Sequence, residues 1–416
     1  MHAEAASDPL RKRRYSSGGP FPVRLRLLGD FSVWIGSRAV GEGAWHLRKA
    51  KSLVKLLALA PERRVHREQV MELLWPEREA AAAANNLHQA LYVARRAFAA
   101  GGIGWLMRKA GLACDNLVGA DVVTADGQLV HASEDENPEL LWGLRGGGGN
   151  FGIVTAFEFR LHAVGPMVLA GPMFFAGHRA EEILRFYRDW VRRLPDEVTT
   201  LVDFTTAPPA PFLPEEVHGK PIVAVFAAHA GEPERGRALV QPLKDLGHPI
   251  ADLLDVMPYT VLNSLLDGLW EPGAHNYFRS SYVDELTDEA IAALVEQHRQ
   301  EPSPHSEIHL HHFGGATARV HEDDSAFGDR SAQFVLNAIA RTPGADGYAE
   351  NVEWARATTE ALAPVSQAGA YANFMGDADD ERMRDSYSDA KYDRLVALKR
   401  RYDPTNLFRL NQNIAP

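Results

Sequence analysis

Apolar residues alternate with polar ones near the start of the chain, which predicts a small sheet. Over residues 23–35 every second residue is apolar on either side of Gly29-Asp30, the pattern of two short strands joined by a turn. After Trp45 the apolar spacing lengthens to that of helices, and Pro61 ends the first of them. The predicted helices span residues 47–60, 67–74 and 80–98.

The third predicted helix has one apolar stripe, and its remaining faces are polar and basic. Asparagine and glutamine can bond adenine bidentately, and arginine serves guanine or phosphate. A polar helix face is more often simply solvated, so this helix alone gives weak evidence of DNA binding. The polar residues are Asn85, Asn86, His88, Gln89, Tyr92, Arg95 and Arg96.

After residue 100 the pattern predicts a hairpin, a short helix, a run of glycines and a strand. Glycines between a helix and a strand let backbone N–H groups approach a phosphate or a flat ring, although such a run is more often a tight connection. Walker loops and dinucleotide fingerprints place their glycines between a strand and a helix, so neither is predicted. The elements span residues 121–124, 129–132, 137–144, 146–149 and 151–161.

Apolar stretches alternate with helical ones over residues 166–365, which predicts an α+β domain with an antiparallel sheet covered by helices on one side. His309 and His311 share one face of a predicted strand, a position that suits a metal or a substrate pocket. No carboxylate or cysteine completes a ligand spacing. We therefore predict that both histidines face the pocket or solvent and that the chain holds no metal.

Composition narrows the class of protein. The chain has 416 residues, enough for two or three domains, with 45% hydrophobic and 24% charged residues, as in soluble globular proteins. A single cysteine excludes a disulfide framework. Residues 1–22 form a basic tail without the apolar core of a signal peptide, and no apolar run is long enough to cross a membrane. We expect a cytoplasmic protein.

Charge divides the chain near residue 100. Residues 1–100 carry 17 Lys and Arg against 9 Asp and Glu, a net charge of +8, and the remainder carries −19, which together give −11. A basic end on an otherwise acidic chain is typical of a nucleic-acid or membrane partner.

The segments LLGDFSV, LRKAKSLVKLLALAPERRVHREQVMELLWP and NNLHQALYVARRAF, within residues 23–99, resemble the winged-helix DNA-binding domain of antibiotic-cluster transcription activators. The wing hairpin of that family has no counterpart here, so a truncated winged helix that binds DNA weakly is expected. By the resemblance, the major groove and the phosphates would contact Asn86, His88, Gln89, Tyr92, Arg95, Lys49, Lys51, Arg64 and Arg67.

The stretch from GGIGWLMRKAGLACDNLVGADVV to GGGGNFGIVTAFEF and the ending YDPTNLFRLNQNIAP resemble the FAD-linked oxidases that include the berberine-bridge enzymes. The resemblance covers residues 101–416 and implies an FAD-binding domain of the PCMH type, of which only the second half is recognisable. We therefore expect FAD to bind non-covalently, if it binds. By the resemblance, the flavin would be lined by Gly104, Trp105, Leu106, Gly148, Gly149, Asn150, Gly152, Ile153, Val154, Asn411 and Asn413.

The same resemblance implies that Tyr371 is the base that takes a proton from the substrate, although a hydrogen-bonded core tyrosine is the alternative. The pKa of a tyrosine is normally about 10, so this role requires that neighbours lower it. Pocket candidates are Tyr277, Tyr282, His309 and His311.

Three hypotheses follow from the sequence. The chain is an FAD-dependent oxidase of an alcohol or an activated C–H bond with oxygen as acceptor, or a DNA-binding transcriptional regulator with a degenerate oxidase module, or a fusion with neither activity. The predicted fold is multidomain α+β. Its parts are a basic tail (1–22), a winged helix without its wing (23–99), half an FAD domain (100–165), a substrate domain (166–365) and a C-terminal segment returning to the flavin (366–416).

Overall fold

The computed structural model describes residues 23–26, 32–35, 38–39, 101–267, 273–367, 369–376, 380–409 and 412–416. The three helices predicted between residues 47 and 98 lie outside these ranges. Among the described helices, none is both long enough and apolar enough to cross a membrane.

The first sheet is antiparallel and contains the predicted hairpin and the predicted strand that follows the glycine run. Its strands follow the order β3-β2-β1-β6-β4-β5. The predicted hairpin is confirmed as β4 and β5, which meet at Gly127 in the left-handed region (φ +81°). The strands are β1 (Val23–Arg26), β2 (Ser32–Ile35), β3 (Arg38–Ala39), β4 (Leu117–Val123), β5 (Leu129–Ser133) and β6 (Ile153–Phe159).

The sheet crosses the boundary drawn near residue 99 from the sequence. The strand pair predicted over residues 23–35 is present as β1 and β2, paired from Val23 opposite Ile35. Strand β1 also pairs with β6, with Val23 opposite Phe159. The segment that resembles the start of a DNA-binding domain therefore extends the sheet formed by β4, β5 and β6.

A second antiparallel sheet forms the larger part of the molecule. Its order is β10-β7-β9-β8-β13-β14-β12-β15, and β11 also pairs with β7. The strands are β7 (Met167–Ala176), β8 (Val198–Thr206), β9 (Pro221–His229), β10 (Ala251–Asp252), β11 (Asp255–Pro258), β12 (His275–Val283), β13 (Glu307–His312), β14 (Phe334–Thr342) and β15 (Ser366–Gln367).

Helices cover one face of this second sheet, which confirms the predicted α+β arrangement. Alternate strand residues such as Val202, Val225 and Leu336 pack into one core with the apolar faces of four helices. Each fully buried aliphatic or aromatic side chain contributes about 1.5–3 kcal/mol, so this core accounts for much of the stability. The helices are α1 (Met107–Ala110), α2 (Pro138–Leu144), α3 (Ala180–Val191), α4 (Pro233–Asp245), α5 (Tyr259–Asn263), α6 (Asp288–Arg299), α7 (Ala316–Arg319), α8 (Tyr348–Ala361), α9 (Asp380–Asp385) and α10 (Asp389–Tyr402).

Buried charged side chains fix the two sheets relative to each other. Arg108 on α1 donates to the carbonyl oxygen of Val198 (2.9 Å), the first residue of β8, and to that of Phe313 (2.5 Å), the residue after β13. Arg330 forms a buried ion pair with Asp115, which lies just before β4, at 2.6 Å. These contacts hold the glycine segment 101–106 against the uncovered face of the second sheet.

Candidate active site

The uncovered face of the second sheet carries a row of polar side chains. Asp203 on β8 lies opposite His309 on β13, which lies opposite Asn337 on β14, and Asn337 lies opposite Ser280 on β12. Directly opposite residues in an antiparallel pair point to the same side. The four side chains therefore form a polar row across this face of the sheet.

Tyr371 stands at one end of this row and joins the two sheets. Its backbone N–H donates to the Ser280 hydroxyl at 3.0 Å. Its own hydroxyl oxygen accepts from the backbone N–H groups of Gly102 (2.9 Å) and Ile103 (3.4 Å) and from the amide nitrogen of Asn373 (2.6 Å). The phenol is thereby held between the glycine segment and the sheet.

The electrostatics at Tyr371 differ from what a base requires. Burial raises the pKa of its hydroxyl to about 12, although the Asn373, Gly102 and Ile103 donors act in the opposite direction. A tyrosine that acts as a base at neutral pH requires a lowered pKa. Here the three donors stabilise the phenolate less than desolvation disfavours it.

Aromatic contacts connect Tyr371 to the polar row. Its ring meets Phe374 edge-on with centroids 4.9 Å apart, and Phe374 stacks on His311 at 5.5 Å. His311 in turn lies 5.8 Å from His309. Burial lowers the pKa of His311 to about 3, with a further contribution from His309, so its imidazole is neutral at physiological pH. The structure brings three of the predicted site residues together.

The two remaining pocket candidates lie on opposite faces of β12. Tyr282 packs beside Tyr371 and Phe327 on the uncovered side. Tyr277 belongs to the core beneath the helices, where Arg356 lies over its ring. Five residues separate the two tyrosines, and an odd separation along a strand places side chains on opposite faces. Tyr277 therefore lies apart from the other candidates.

The glycine run after α2 has two kinds of position. A Cβ atom at Gly146, where φ is +125°, would lie 2.2 Å from the backbone nitrogen of Phe327, so this glycine permits close packing. A Cβ at Gly152 would lie 2.5 Å from the Val122 side chain, which places Gly152 against β4. Gly104, in contrast, has open space where a side chain would be, and a Cβ at Gly148 would meet only the Asn150 amide nitrogen, at 3.7 Å, so both positions leave room beside the backbone for a ligand.

The other residues predicted to line the flavin also include packed positions and one beside the glycine run's less crowded position. Trp105 packs on Phe226 with ring centroids 6.1 Å apart, and Leu106 precedes α1. Ile153 and Val154 open strand β6 and are half-buried. Gly149 stands beside the open position at Gly148.

Asn150 ties the glycine run to the end of the chain. Its amide nitrogen donates to the carbonyls of Gly147 (2.9 Å) and Gln412 (3.1 Å), and its oxygen accepts from the backbone of Ile414 at 3.0 Å. Between these contacts, Asn413 has a buried amide oxygen with no hydrogen-bond partner in the described part of the chain. Asn411 lies outside the described residues.

A buried ion pair that the sequence reading missed holds the same region. The Lys399 ammonium is fully buried and donates to Asp403 (2.7 Å), to the Asn150 carbonyl (3.0 Å) and to the Phe408 carbonyl (2.9 Å). Burial acts to raise the pKa of Asp403, but Lys399 and two backbone donors outweigh it and lower the pKa. The i, i+4 spacing of Lys399 and Asp403 was visible, yet it is equally common on solvated helices.

The residues predicted to contact DNA, from Lys49 to Arg95, lie outside the described residues, so DNA binding by this segment stays a prediction.

Comparison with known proteins places this geometry in a family. A profile of berberine and berberine-like proteins matches residues 370–415. The (R)-6-hydroxynicotine oxidase of Paenarthrobacter nicotinovorans is 30% identical over 335 residues, covering 76% of this chain and 69% of that protein. The chain belongs to the berberine-bridge-enzyme-like family of FAD-linked oxidoreductases.

Solved structures have a similar fold, and a further relative is similar in sequence. The 6-hydroxy-D-nicotine oxidase of Arthrobacter nicotinovorans superposes with a TM-score of 0.66 and 28% identity, over 76% of this chain and 70% of that one. A chitooligosaccharide oxidase superposes with a TM-score of 0.65 at 22% identity, over 77% and 70%. The glucooligosaccharide oxidase of Sarocladium strictum is 28% identical over 74% of this chain and 65% of that protein.

Family membership implies FAD as the cofactor, and the described residues fit part of it. The open positions at Gly104 and Gly148 can accept a flat ring or a phosphate close to the backbone. The unpartnered amide oxygen of Asn413 can accept a hydrogen bond from a ring N–H. Gly148 within the glycine run, Gly104 and Asn413 are therefore candidate flavin contacts among the described residues.

Proposed function

We propose that the chain is an FAD-dependent oxidase of a small molecule, which oxidises an alcohol or a C–H bond next to nitrogen or oxygen. The observation that carries the proposal is the position of Tyr371. Its hydroxyl accepts hydrogen bonds from Gly102 and Ile103 in the glycine segment, and its backbone N–H donates to Ser280 in the polar row of the second sheet. When bound, FAD supplies a two-electron acceptor for a hydride and passes the electrons to oxygen.

The protein's own residues bind the substrate and move its proton. Tyr371 takes the proton, and His311 offers a polar contact to a hydroxyl or amine. For an alcohol the balanced reaction converts R₂CHOH and O₂ into R₂C=O and H₂O₂. The buried site excludes water from the reacting carbon.

We propose further that FAD is held non-covalently. Cys114, the single cysteine of the chain, is fully buried, and burial raises the pKa of its thiol well above the usual value. A buried neutral thiol is unreactive. The visible spectrum of the purified protein, with flavin bands at roughly 370 and 450 nm, tests FAD binding, and acid precipitation should leave the colour in the supernatant. A colourless protein that takes up no added FAD would refute the enzyme proposal.

The role of Tyr371 is tested by a pH profile. A base with a pKa of about 12 is deprotonated in roughly one molecule in 10⁵ at pH 7, so kcat/KM should rise about tenfold per pH unit over the accessible range. Tyr371→Phe should lower kcat about 10²–10⁴-fold and flatten this profile. Tyr348→Phe, on helix α8 away from the row, is the control. A wild-type profile that is already flat, or one that persists in Tyr371→Phe, would assign the base elsewhere.

The basic first hundred residues favour a second candidate function, DNA binding. Their net charge of +8 stands against −19 in the rest of the chain. A gel shift with promoter DNA at low salt, where phosphate contacts are strongest, tests it. If neither a gel shift nor flavin uptake is observed, the hypothesis of a fusion without either activity remains.

A further inference from the structure

Three metal-binding side chains meet on the uncovered face of the second sheet. Asp203 comes from β8, and Glu307 and His309 come from β13, two residues apart and hence on one face. The His309 Nε2 atom lies 3.0 Å from a Glu307 oxygen and 3.5 Å from Asp203 Oδ1. All three ligand atoms lie within 4.8 Å of one another. Register between strands a hundred residues apart creates this cluster.

The cluster is buried and its hydrogen bonding is incomplete. Asp203 and His309 are only 7% and 8% exposed. Asp203 Oδ1 has no hydrogen-bond partner among the described residues, and neither has the amide oxygen of Asn337, directly opposite His309. A buried carboxylate oxygen without a hydrogen bond is costly, and a ligand site is one reason that a folded protein retains such an atom.

The composition of the cluster suits a cation. Two carboxylates, those of Asp203 and Glu307, lie beside one imidazole, that of His309. A divalent cation bound between the three side chains would offset the repulsion between the two carboxylates.

We propose that Asp203, Glu307 and His309 bind a divalent cation of the zinc type. In a tetrahedral site with bonds of about 2.0–2.2 Å, ligand atoms lie roughly 3.3 Å apart, and the two distances at His309 fall on either side of this value. One imidazole and two carboxylates leave a fourth position for water or an oxygen of a bound molecule. The position lies on the face that carries His311. The inference does not depend on flavin binding or on oxidase activity.

The test uses the full-length protein, freed of metal by a chelator and titrated with ZnCl₂ by calorimetry. Wild type should bind one equivalent at this site. His309→Gln removes the nitrogen ligand and should weaken binding by more than about 100-fold, beyond what loss of an outer contact costs. His178→Gln removes an exposed imidazole outside the cluster and should bind Zn²⁺ as wild type does.

A second readout keeps the test decisive if His309→Gln fails to fold. Asp203→Asn preserves the shape of the side chain and should also weaken binding, and Zn²⁺ should raise the Tm of wild type more than that of either variant. Co²⁺ added to wild type should give the intense visible absorption of a four-coordinate site. Absence of stoichiometric Zn²⁺ in wild type, equal affinity in the His309 and Asp203 variants, or loss of binding in His178→Gln would overturn the proposal.

Discussion

Two buried polar clusters in this molecule are built on opposite principles. Around Lys399, each charged atom has hydrogen-bond partners, and those partners are mainly backbone groups of the C-terminal segment. Around His309, the groups are other side chains, and Asp203 Oδ1 and His311 Nε2 have no hydrogen-bond partner in the part of the chain described. We refer to these as the Lys399 cluster and the His309 cluster.

The difference separates a structural role from a binding role. A polar group whose hydrogen bonds go to backbone fixes a chain segment, and its loss exposes unpaired groups in a low-dielectric interior. A buried polar group without a partner costs stability in the folded state, and proteins tolerate that cost mainly where a ligand completes the site. Substitutions in the Lys399 cluster should therefore lower stability more than ligand binding, and substitutions in the His309 cluster should lower ligand binding more than stability.

Lys399→Met should have the largest effect on stability. It leaves the Asp403 carboxylate buried without its cation and removes the donor to the Asn150 carbonyl. Removing one partner of a buried pair costs about 3–5 kcal/mol. Urea unfolding should show this loss in the free energy of unfolding, and FAD uptake should fall because the C-terminal segment leaves the glycine run.

The matched control is Arg400→Met, one residue further along the same helix and exposed. Its effect should stay within about 0.5 kcal/mol. If both variants unfolded at the same urea concentration, the Lys399 cluster would not be the anchor of the C-terminal segment.

Gly146→Ala should have the next largest effect. A Cβ atom there would lie 2.2 Å from the Phe327 backbone nitrogen, and φ is +125°. Backbone strain of this kind costs about 1–3 kcal/mol, and the displaced backbone adds to it. Gly127→Ala has a similarly positive φ of +81° but open space around it, so its Tm should drop less. Equal drops in the two variants would show that φ, and not packing against Phe327, determines the cost.

Local parts of this architecture were predictable from the sequence. The β4–β5 hairpin follows from the turn at Asp126-Gly127 between alternating residues, and the helix α2 follows from Pro138 at its start. The alternation of helical and strand periods, 3.6 and 2 residues, indicated the α+β pattern of the second sheet. The strand period also placed His309 and His311 on one face.

Contacts that depend on register between distant strands were not predictable. Asp203 joins His309 only because β8 pairs with β13 in one register, and no local pattern encodes that pairing. Glu307, two residues before His309, was visible in the sequence, but one carboxylate beside one histidine did not complete a ligand spacing without Asp203. The buried ion pair between Arg330 and Asp115 likewise joins residues 215 positions apart.

His311→Leu should have the smallest effect on stability and the clearest effect on binding. Its Nε2 atom is buried without a hydrogen-bond partner among the described residues, and burial lowers its pKa to about 3, so the substitution replaces a neutral, unsatisfied ring with an apolar side chain. Such replacements change stability by less than about 1 kcal/mol, and the lost stacking on Phe374 is within that range. KM for a polar substrate should rise while the urea midpoint stays near that of wild type. A loss of stability as large as that of Lys399→Met would show that the His309 cluster, too, serves the fold.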